Sequence, residues 1–424
     1  MKRRKFIKGA GYLSLLAFLQ ACRLSNLMGN GESSNLITTP TSTSLPTFTP
    51  SPTLTPFTAP TDTAPTVTGT PTPPNVEPTS EPIAEPTSEP TTEPEPTSTP
   101  TPSPTPYPPG PPSKLGLFLT KFEGQVLEML ETAQPALIKT IEIDGNYVAG
   151  LKAAAPDSIM IARIVLGEQN LDADPLVMAQ EYTEKLLPLA TDTKRMDAID
   201  AWEAYNEPIA DTSDQMKRLA DFEAERVRIL AENGLRAVVG NFATGHPPLE
   251  LWPDFKPALD AARQYNGFLG LHEYSAPTMQ FMAGDNQPNG NPSEGDEGWL
   301  TLRYRKIYRQ FLEPMGFGDL PLLITECGVD GLVQPRPGPA EARGWQEFIP
   351  TWIEEGYRDD PPGVYMDQLI WYDENLQQDD FVKGAAIFTV GTNDSRWNTY
   401  NILGEGSGRM IDLLTQYLEA HPPG

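Results

Sequence analysis

Cysteine is almost missing from this chain: Cys22 and Cys327 are the only two in 424 residues. A disulfide framework is thereby excluded, and any folded domain must draw its stability from an apolar core. Histidine is nearly as scarce. His246, His272 and His421 are scattered, and HEYSA around His272 lacks the second histidine of the His-Glu-x-x-His helix of zinc proteases. The acidic segment 282–298 lacks the ligand spacing of an EF-hand. No Gly-x-Ser-x-Gly and no phosphate-binding loop occurs. Neither a metal nor a cofactor is therefore expected. Cations are also few, with 31 Lys and Arg against 57 Asp and Glu and a net charge of −26. Phosphate backbones are held by clustered Lys and Arg, so the balance argues against a nucleic-acid partner and against anionic lipid held by charge.

What cations there are gather at the start. MKRRKFIKGAGYLSLLAFLQAC places five of them before an apolar run of signal-peptide length, too short to span a bilayer. Arg3-Arg4 followed by Phe6-Ile7-Lys8 resembles a twin-arginine export signal, and Leu19-Gln20-Ala21-Cys22 resembles a lipobox. The resemblance implies a signal segment over 1–22, cleavage before Cys22 and acylation of that cysteine. Cleavage takes the net charge to about −31. Attachment to the outer face of a bacterial membrane then rests on the lipid alone. With Cys22 acylated, Cys327 has no partner for a disulfide.

Residues 23–113 are rich in Pro, Thr, Ser and Glu, as in TPTSTSLPTFTPSPTLTP and EPTSEPIAEPTSEPTTEPEP. That composition has too little apolar surface to offset chain entropy, so it predicts a disordered stalk. Its prolines favour extended polyproline II at ~3.1 Å per residue, a reach on the order of 250 Å when stretched. The stalk lifts whatever follows it clear of a surface.

From 114 to 424 the character changes. Eight short apolar runs recur: KLGLFLT (114–120), ALIKTIEID (136–144), MIARIVL (160–166), IDAWEAYNEP (199–208), AVVGNFATG (237–245), FLGLHEYS (268–275), LLITECGV (322–329) and GAAIFTVGT (384–392). Amphipathic segments lie between them, among them 211–234, with a capping Ser or Thr and a closing Gly, and 301–316. Regular βα alternation implies a parallel sheet, and eight units in this length predict a (β/α)8 TIM barrel. An open doubly wound sheet is the rival, but it normally carries a glycine-rich turn after an early strand, and none is present.

Active sites of such barrels stand at the C-terminal ends of the strands. Those positions hold Asp144, Asn206 and Glu207, His272 and Tyr274, Glu326, and Thr392 with Asn393. Arg163 lies within the third apolar run and needs a carboxylate partner, for which Glu142, Glu203 and Glu326 are candidates. Glu207 and Glu326, from the fourth and seventh runs, would face each other across the barrel mouth. Two opposed carboxyls are what glycoside hydrolysis requires, one to protonate the leaving oxygen and one to attack or to activate water.

WEAYNEP (202–208), HEY (272–274) and LLITECG (322–328) together resemble the signatures of the clan A retaining glycoside hydrolases, of the family five or family thirty-nine type. The resemblance covers most of 114–424 in motif order. It implies that Glu207 is the acid/base and Glu326 the nucleophile. It further implies that Asn206 binds a sugar 2-hydroxyl, that Tyr274 holds the nucleophile's carboxylate, and that His272 lines the same site. The clan's tryptophan at the end of strand eight is missing from GAAIFTVGT, leaving Phe388 or Trp397 to form the sugar platform. The clan's arginine on strand two is also missing, and Arg163 on strand three is the candidate in its place. Glu203 reads as a supporting partner of Arg163, and Cys327 as a packed strand residue. Trp299 and Trp345 read as helix core as readily as sugar platforms, and Trp371 reads as helix core.

The expectation is thus a monomeric, surface-anchored retaining glycosidase acting on an extracellular poly- or oligosaccharide. The alternatives are a non-catalytic carbohydrate-binding protein on the same barrel, or a structural surface lipoprotein in which the stalk is the important part. The glycan and its linkage are not legible.

Overall fold

The computed structural model describes residues 107–284 and 295–423. The expected signal segment, Cys22, the stalk up to residue 106 and residues 285–294 of the acidic segment lie outside the described residues.

Eight parallel strands form one sheet: β1 (Leu115–Leu119), β2 (Leu137–Thr140), β3 (Ile159–Ala162), β4 (Ala201–Trp202), β5 (Val238–Phe242), β6 (Phe268–Ser275), β7 (Leu322–Val329) and β8 (Val382–Val390). Their order is β4-β3-β2-β1-β8-β7-β6-β5, and a parallel bridge between Trp202 and Ala237 joins the two ends. This is the TIM barrel expected from the alternation. Each apolar run forms its strand, but the fourth is far shorter than IDAWEAYNEP suggests. The strand ends at Trp202, with one further backbone bond from Glu203 N–H to Ala162 O at 2.9 Å.

The helices are α1 (Gly124–Leu130), α2 (Gly145–Ala154), α3 (Pro175–Ala190), α4 (Thr193–Ala198), α5 (Ser213–Glu232), α6 (Lys256–Gln264), α7 (Arg303–Ile307), α8 (Ile349–Glu354), α9 (Pro361–Leu376) and α10 (Met410–Ala420). α5 begins in a capping box, with the Thr212 hydroxyl accepting from Gln215 N–H and the Gln215 side chain accepting from Thr212 N–H. Met216, Leu219, Ala220, Phe222, Val227 and Leu230 form its buried face, at the i, i+3, i+4 spacing of one helical stripe. Arg226 on that face is fully buried. It pairs with Glu223 at 2.6 Å and donates to the carbonyls of Trp202 (3.1 Å) and Val238 (2.7 Å). A helix side chain thus clamps the β4–β5 seam, where backbone pairing is thinnest. The segment 301–316, expected as one helix, is α7 followed by a wider π-turn over Tyr308–Leu312.

Two apolar layers result. The larger fills the space between sheet and helices and includes Leu117, Ile138, Met160, Trp202, Val239, Leu271, Cys327 and Ile387. The smaller lies inside the barrel and takes one residue from each strand: Phe118, Leu137, Ile161, Ala201, Val238, Phe268, Leu323 and Ala386. Full burial of such side chains contributes roughly 1.5–3 kcal/mol each for the larger ones. Gly270 serves this interior, since a Cβ there would lie 2.2 Å from Asn241 Oδ1.

Candidate active site

Side chains alternate along a strand, so the residue two positions past an interior residue also points inward. Counting on from the interior layer gives Lys139 on β2, Arg163 directly after β3, Glu203 directly after β4, and Phe388 on β8. The same count gives His272 and Tyr274 on β6. The apolar ring therefore carries a polar storey above it, at the C-terminal ends of the strands. β7 would fall out of step, because two positions past Leu323 is Thr325. The β6–β7 register shifts there: Leu271 pairs with Ile324, but His272 pairs with Glu326. Thr325 is the extra residue, its hydroxyl bonded to Asn241 Oδ1 at 3.0 Å, and the bulge re-aims Glu326 inward.

Glu326 is buried among donors and cations. Tyr274 Oη donates to its Oε2 at 2.9 Å, and Lys139 Nζ donates to its Oε1 at 3.1 Å. His272 Nε2 lies 3.6 Å from Oε1. Burial alone would raise this carboxyl, but His272, Lys139, Arg163 and the Tyr274 hydroxyl outweigh it and hold Glu326 at about 2.

Lys139 is the residue that sequence reasoning missed. Its side chain is fully buried, 3.0 Å from Glu203 Oε2 and 3.1 Å from Glu326 Oε1, with Phe118 packed 4.4 Å beneath the ammonium. Arg163 Nε stands 3.7 Å from the same Glu203 oxygen. Two cations and two carboxylates thus form one array. Of the three candidate partners for Arg163, Glu203 is the one in contact. Strand two thus supplies a buried cation beside Glu326, although Arg163 on strand three was the one expected to do so.

Glu207 reaches the site differently. Five residues past β4, its backbone adopts φ +46°, a left-handed conformation uncommon outside glycine. Its N–H donates to Asn241 O at 3.1 Å, which ties the turn to β5. Such strain costs on the order of 1–3 kcal/mol and gathers at functional sites. The Glu207 carboxylate meets His272 Nδ1 at 3.0 Å. One imidazole therefore lies between Glu207 and Glu326. His272 was expected to line the site; its fully buried side chain touches both carboxyls there but is not itself on the cavity wall.

A cavity of about 880 Å3 opens over this storey, and Glu207, Glu326, Asn206, Tyr274 and Arg163 reach its wall. Asn206 Oδ1 is buried there without a hydrogen-bond partner among the described residues. Thr392 and Asn393 line it as the barrel topology suggested, and so does Trp397. Phe388, Trp397 and Tyr400 make an aromatic wall, with ring centres 5.2 Å apart for Phe388 and Trp397 and 5.4 Å apart for Phe388 and Tyr400. Asp144 plays no part in the cavity. Its carboxylate caps α2, accepting from Asn146 N–H and Tyr147 N–H. Trp345 is fully buried and stacked on Tyr365, and Trp299 packs beside Arg303 and Lys306, so neither reaches the cavity. A third carboxyl does reach it. Asp330, just after β7, accepts from Tyr400 Oη at 2.7 Å and Leu332 N–H at 2.8 Å, and burial pushes it up to about 6.

No family model and no curated protein sequence matches this chain. Among solved structures it is similar to a glucosidase from Croceicoccus marinus, at 14% identity over 74% of this chain and 68% of that one, TM-score 0.42. It is similar to a β-D-glucuronidase from Dictyoglomus thermophilum at 12% identity over 73% of this chain, TM-score 0.45, spanning only 50% of that chain. An endo-β-1,3-glucanase from Pseudomonas viridiflava is similar at 14% identity over 72% of this chain and 96% of that one, TM-score 0.37. Likenesses this distant leave the chemistry to be argued from the site itself.

Proposed function

We propose that the barrel is a retaining glycosidase that cleaves O-glycosidic bonds of an extracellular poly- or oligosaccharide by double displacement. The observation that carries the reading is the pair of carboxyls on one cavity, in unlike surroundings, with the His272 ring between them, hydrogen-bonded to Glu207 and 3.6 Å from Glu326. Glu326 is fixed as an anion by Lys139, His272, Arg163 and the Tyr274 hydroxyl. Glu207 stands at the end of a strained turn, 12% exposed and hydrogen-bonded to the imidazole. Unlike environments are how one site runs acid and base roles together.

In the first step a Glu326 oxygen attacks the anomeric carbon while Glu207 gives its proton to the departing oxygen. The C–O bond to the leaving group breaks and an acylal ester to Glu326 forms. In the second, Glu207 takes a proton from water, the water oxygen attacks the same carbon, and the Glu326 carboxylate leaves. Asn206, with an unpartnered buried oxygen on the cavity wall, accepts from a hydroxyl of the sugar being cleaved. Phe388 and Trp397 stack against the apolar face of a pyranose. Tyr274 and Lys139 steady Glu326, and Glu203 balances Lys139 and Arg163.

The test compares the wild-type chain with Glu326→Ala and Glu207→Ala on a panel of aryl glycosides and polysaccharides. The reading expects activity abolished by the first change, lowered about 10²–10⁴-fold by the second, and product first released with the anomeric configuration of the substrate. An inverted product, or full activity without Glu326, refutes it. Export and the lipid anchor at Cys22 belong to the same proposal. Cys22→Ser is expected to move the protein from the membrane fraction to the soluble one.

A further inference from the structure

Two bulges flank β6 at the same height, and their two extra residues are bonded to each other. In the β5–β6 pairing Gly240 faces Gly270 and Phe242 faces Leu271, so Asn241 is left over. In the β6–β7 pairing Thr325 is left over between Ile324 and Glu326. The Thr325 hydroxyl donates to Asn241 Oδ1 at 3.0 Å, reaching across β6. Gly270 makes the crossing possible, because a Cβ there would collide with that oxygen. Both side chains are buried, and neither is on the cavity wall.

Each bulge leads to one of the two carboxyls, and the inference rests on the glycosidase reading for their roles. Glu326 follows Thr325 directly in the chain. Glu207 is held by the backbone of Asn241, whose carbonyl accepts from Glu207 N–H at 3.1 Å. Asn241 itself sits at φ +52°, in the left-handed region that Asn tolerates better than most side chains. Its two bonds therefore pin a backbone that has easier conformations to adopt. Three residues on, the Thr244 hydroxyl accepts from Tyr274 N–H at 2.9 Å and donates to His272 O at 3.2 Å. The end of β5 is thus tied to the strand that carries His272, the ring between the two carboxyls.

We propose that Asn241 is a positioning residue that sets the spacing of the two carboxyls. Its backbone carbonyl holds the turn of Glu207, and its side-chain oxygen holds the bulge of Glu326. Double displacement needs those carboxyls about 5–5.5 Å apart, and a displacement of about 1 Å can cost about 10²-fold in rate. Neither Asn241 nor Thr325 reaches the sugar, so their effect falls on reaction rate and not on binding.

The test uses the full chain, as wild type and carrying Thr325→Val, Thr325→Ser or Asn241→Gly. Valine keeps the shape of threonine without the donor, and serine keeps the donor. Glycine keeps the left-handed backbone without the acceptor. Intact-mass spectrometry follows labelling by an aryl 2-deoxy-2-fluoroglycoside that the wild type accepts. Thr325→Val and Asn241→Gly should label to the wild-type final fraction, at a saturating rate about 100-fold lower and with half-saturation within about threefold. Thr325→Ser should stay within about tenfold of the wild-type rate. The double variant Thr325→Val/Asn241→Gly should be within about threefold of the slower single variant, because both changes remove one bond. Loss of kcat/KM should be greater on a phenyl glycoside, which needs the Glu207 proton, than on a dinitrophenyl glycoside, which does not.

A reduced final fraction with an unchanged rate makes the pair merely structural and overturns the proposal. Equal losses on the two leaving groups overturn the claim that one residue holds both carboxyls. Nitrogen NMR signals of the His272 ring report the same geometry without catalysis. They should shift in Thr325→Val and Asn241→Gly, while those of His421, stacked on Tyr417, stay in place. Failure of the glycosidase reading has a separate signature: the wild-type chain neither labels nor hydrolyses any aryl glycoside. Unshifted His272 signals in the two variants overturn the positioning role in either case.

Discussion

Replacing Lys139 by methionine removes one charge from the polar storey while nearly preserving its volume. The ammonium lies 3.1 Å from Glu326 and 3.0 Å from Glu203, fully buried. At an effective dielectric of 20, one contact at that distance corresponds to about 5 kcal/mol of attraction, against a desolvation cost of several kcal/mol for the ammonium. The net value of the pair is therefore small, but the cost of breaking it is not. Glu203 would be left with only Arg163 in contact and Glu326 with His272 and the Tyr274 hydroxyl, and a stranded buried charge costs about 3–5 kcal/mol. At about 2 °C per kcal/mol for a domain of this size, Lys139→Met should melt roughly 6–10 °C below wild type. A change in the activity profile separates electrostatics from packing. With Glu326 held at about 2, the wild-type acidic limb should lie below the range in which the protein can be assayed. In Lys139→Met that limb should rise toward the ordinary 4.5 of a glutamate, with His272, Arg163 and the Tyr274 hydroxyl still opposing it, and kcat/KM at neutral pH should fall by about 100-fold or more. Calorimetric melting and pH–rate profiles on one aryl glycoside measure both. A variant that melts within a degree or so of wild type and keeps its acidic limb refutes the assignment of Lys139 to this array.

Two carboxyls pull stability in opposite directions with pH. Glu326 is depressed from 4.5 to about 2, so its contribution, about 3 kcal/mol, is present above 4.5 and lost as pH falls toward 2. Burial instead raises Glu273 to about 7, despite hydrogen bonds from Tyr372 Oη, Tyr304 N–H and Leu302 N–H. Between 4.5 and 7 the unfolded chain gives up that proton while the folded one keeps it, so stability declines across the window by a similar amount. Denaturant melts at a series of pH values should show the decline in wild type and a flatter course in Glu273→Gln; equal slopes contradict it. Trp397→Ala removes a ring from the aromatic wall without opening the core, so KM should rise about tenfold with the melting temperature nearly unchanged. Trp345→Ala, at a fully buried site, should cost about 3–5 kcal/mol of stability. Steady-state kinetics and thermal melts on the two variants distinguish the roles.

The barrel was legible because parallel strands covered on both faces are continuous apolar runs, and each of the eight marked a strand. Strand ends were less so. IDAWEAYNEP reads as one long strand, but the strand ends at Trp202 and Glu207 reaches the cavity through a left-handed turn that no periodicity announces. Glu326 was found by its motif, although simple alternation from Leu323 would have passed over it; the bulge at Thr325 depends on β6 and is a pairing property. Lys139 was missed because its meaning is supplied from afar. Its partners lie 64 and 187 residues later in the chain, and only closure of the barrel brings them within 3.1 Å. One signal was available: a lysine inside ALIKTIE at the parity of Leu137, which points it into the barrel and demands a counter-charge there. The aromatic wall was half legible, since strand eight offered Phe388 and nothing in the sequence showed Tyr400 beside it. Asp330 was invisible for the same reason, being placed by Tyr400 from 70 residues away.

The central claim is that Glu326 bonds covalently to the sugar, and trapping that ester tests it most directly. Wild-type chain is incubated with aryl 2-deoxy-2-fluoroglycosides of gluco and manno configuration, digested, and read by mass spectrometry. The account predicts one glycosyl adduct, on the peptide carrying Glu326, absent from Glu326→Ala and still formed by Glu207→Ala when the leaving group is activated. An adduct on Glu207, or turnover of an unfluorinated glycoside to an inverted product with no adduct, contradicts it.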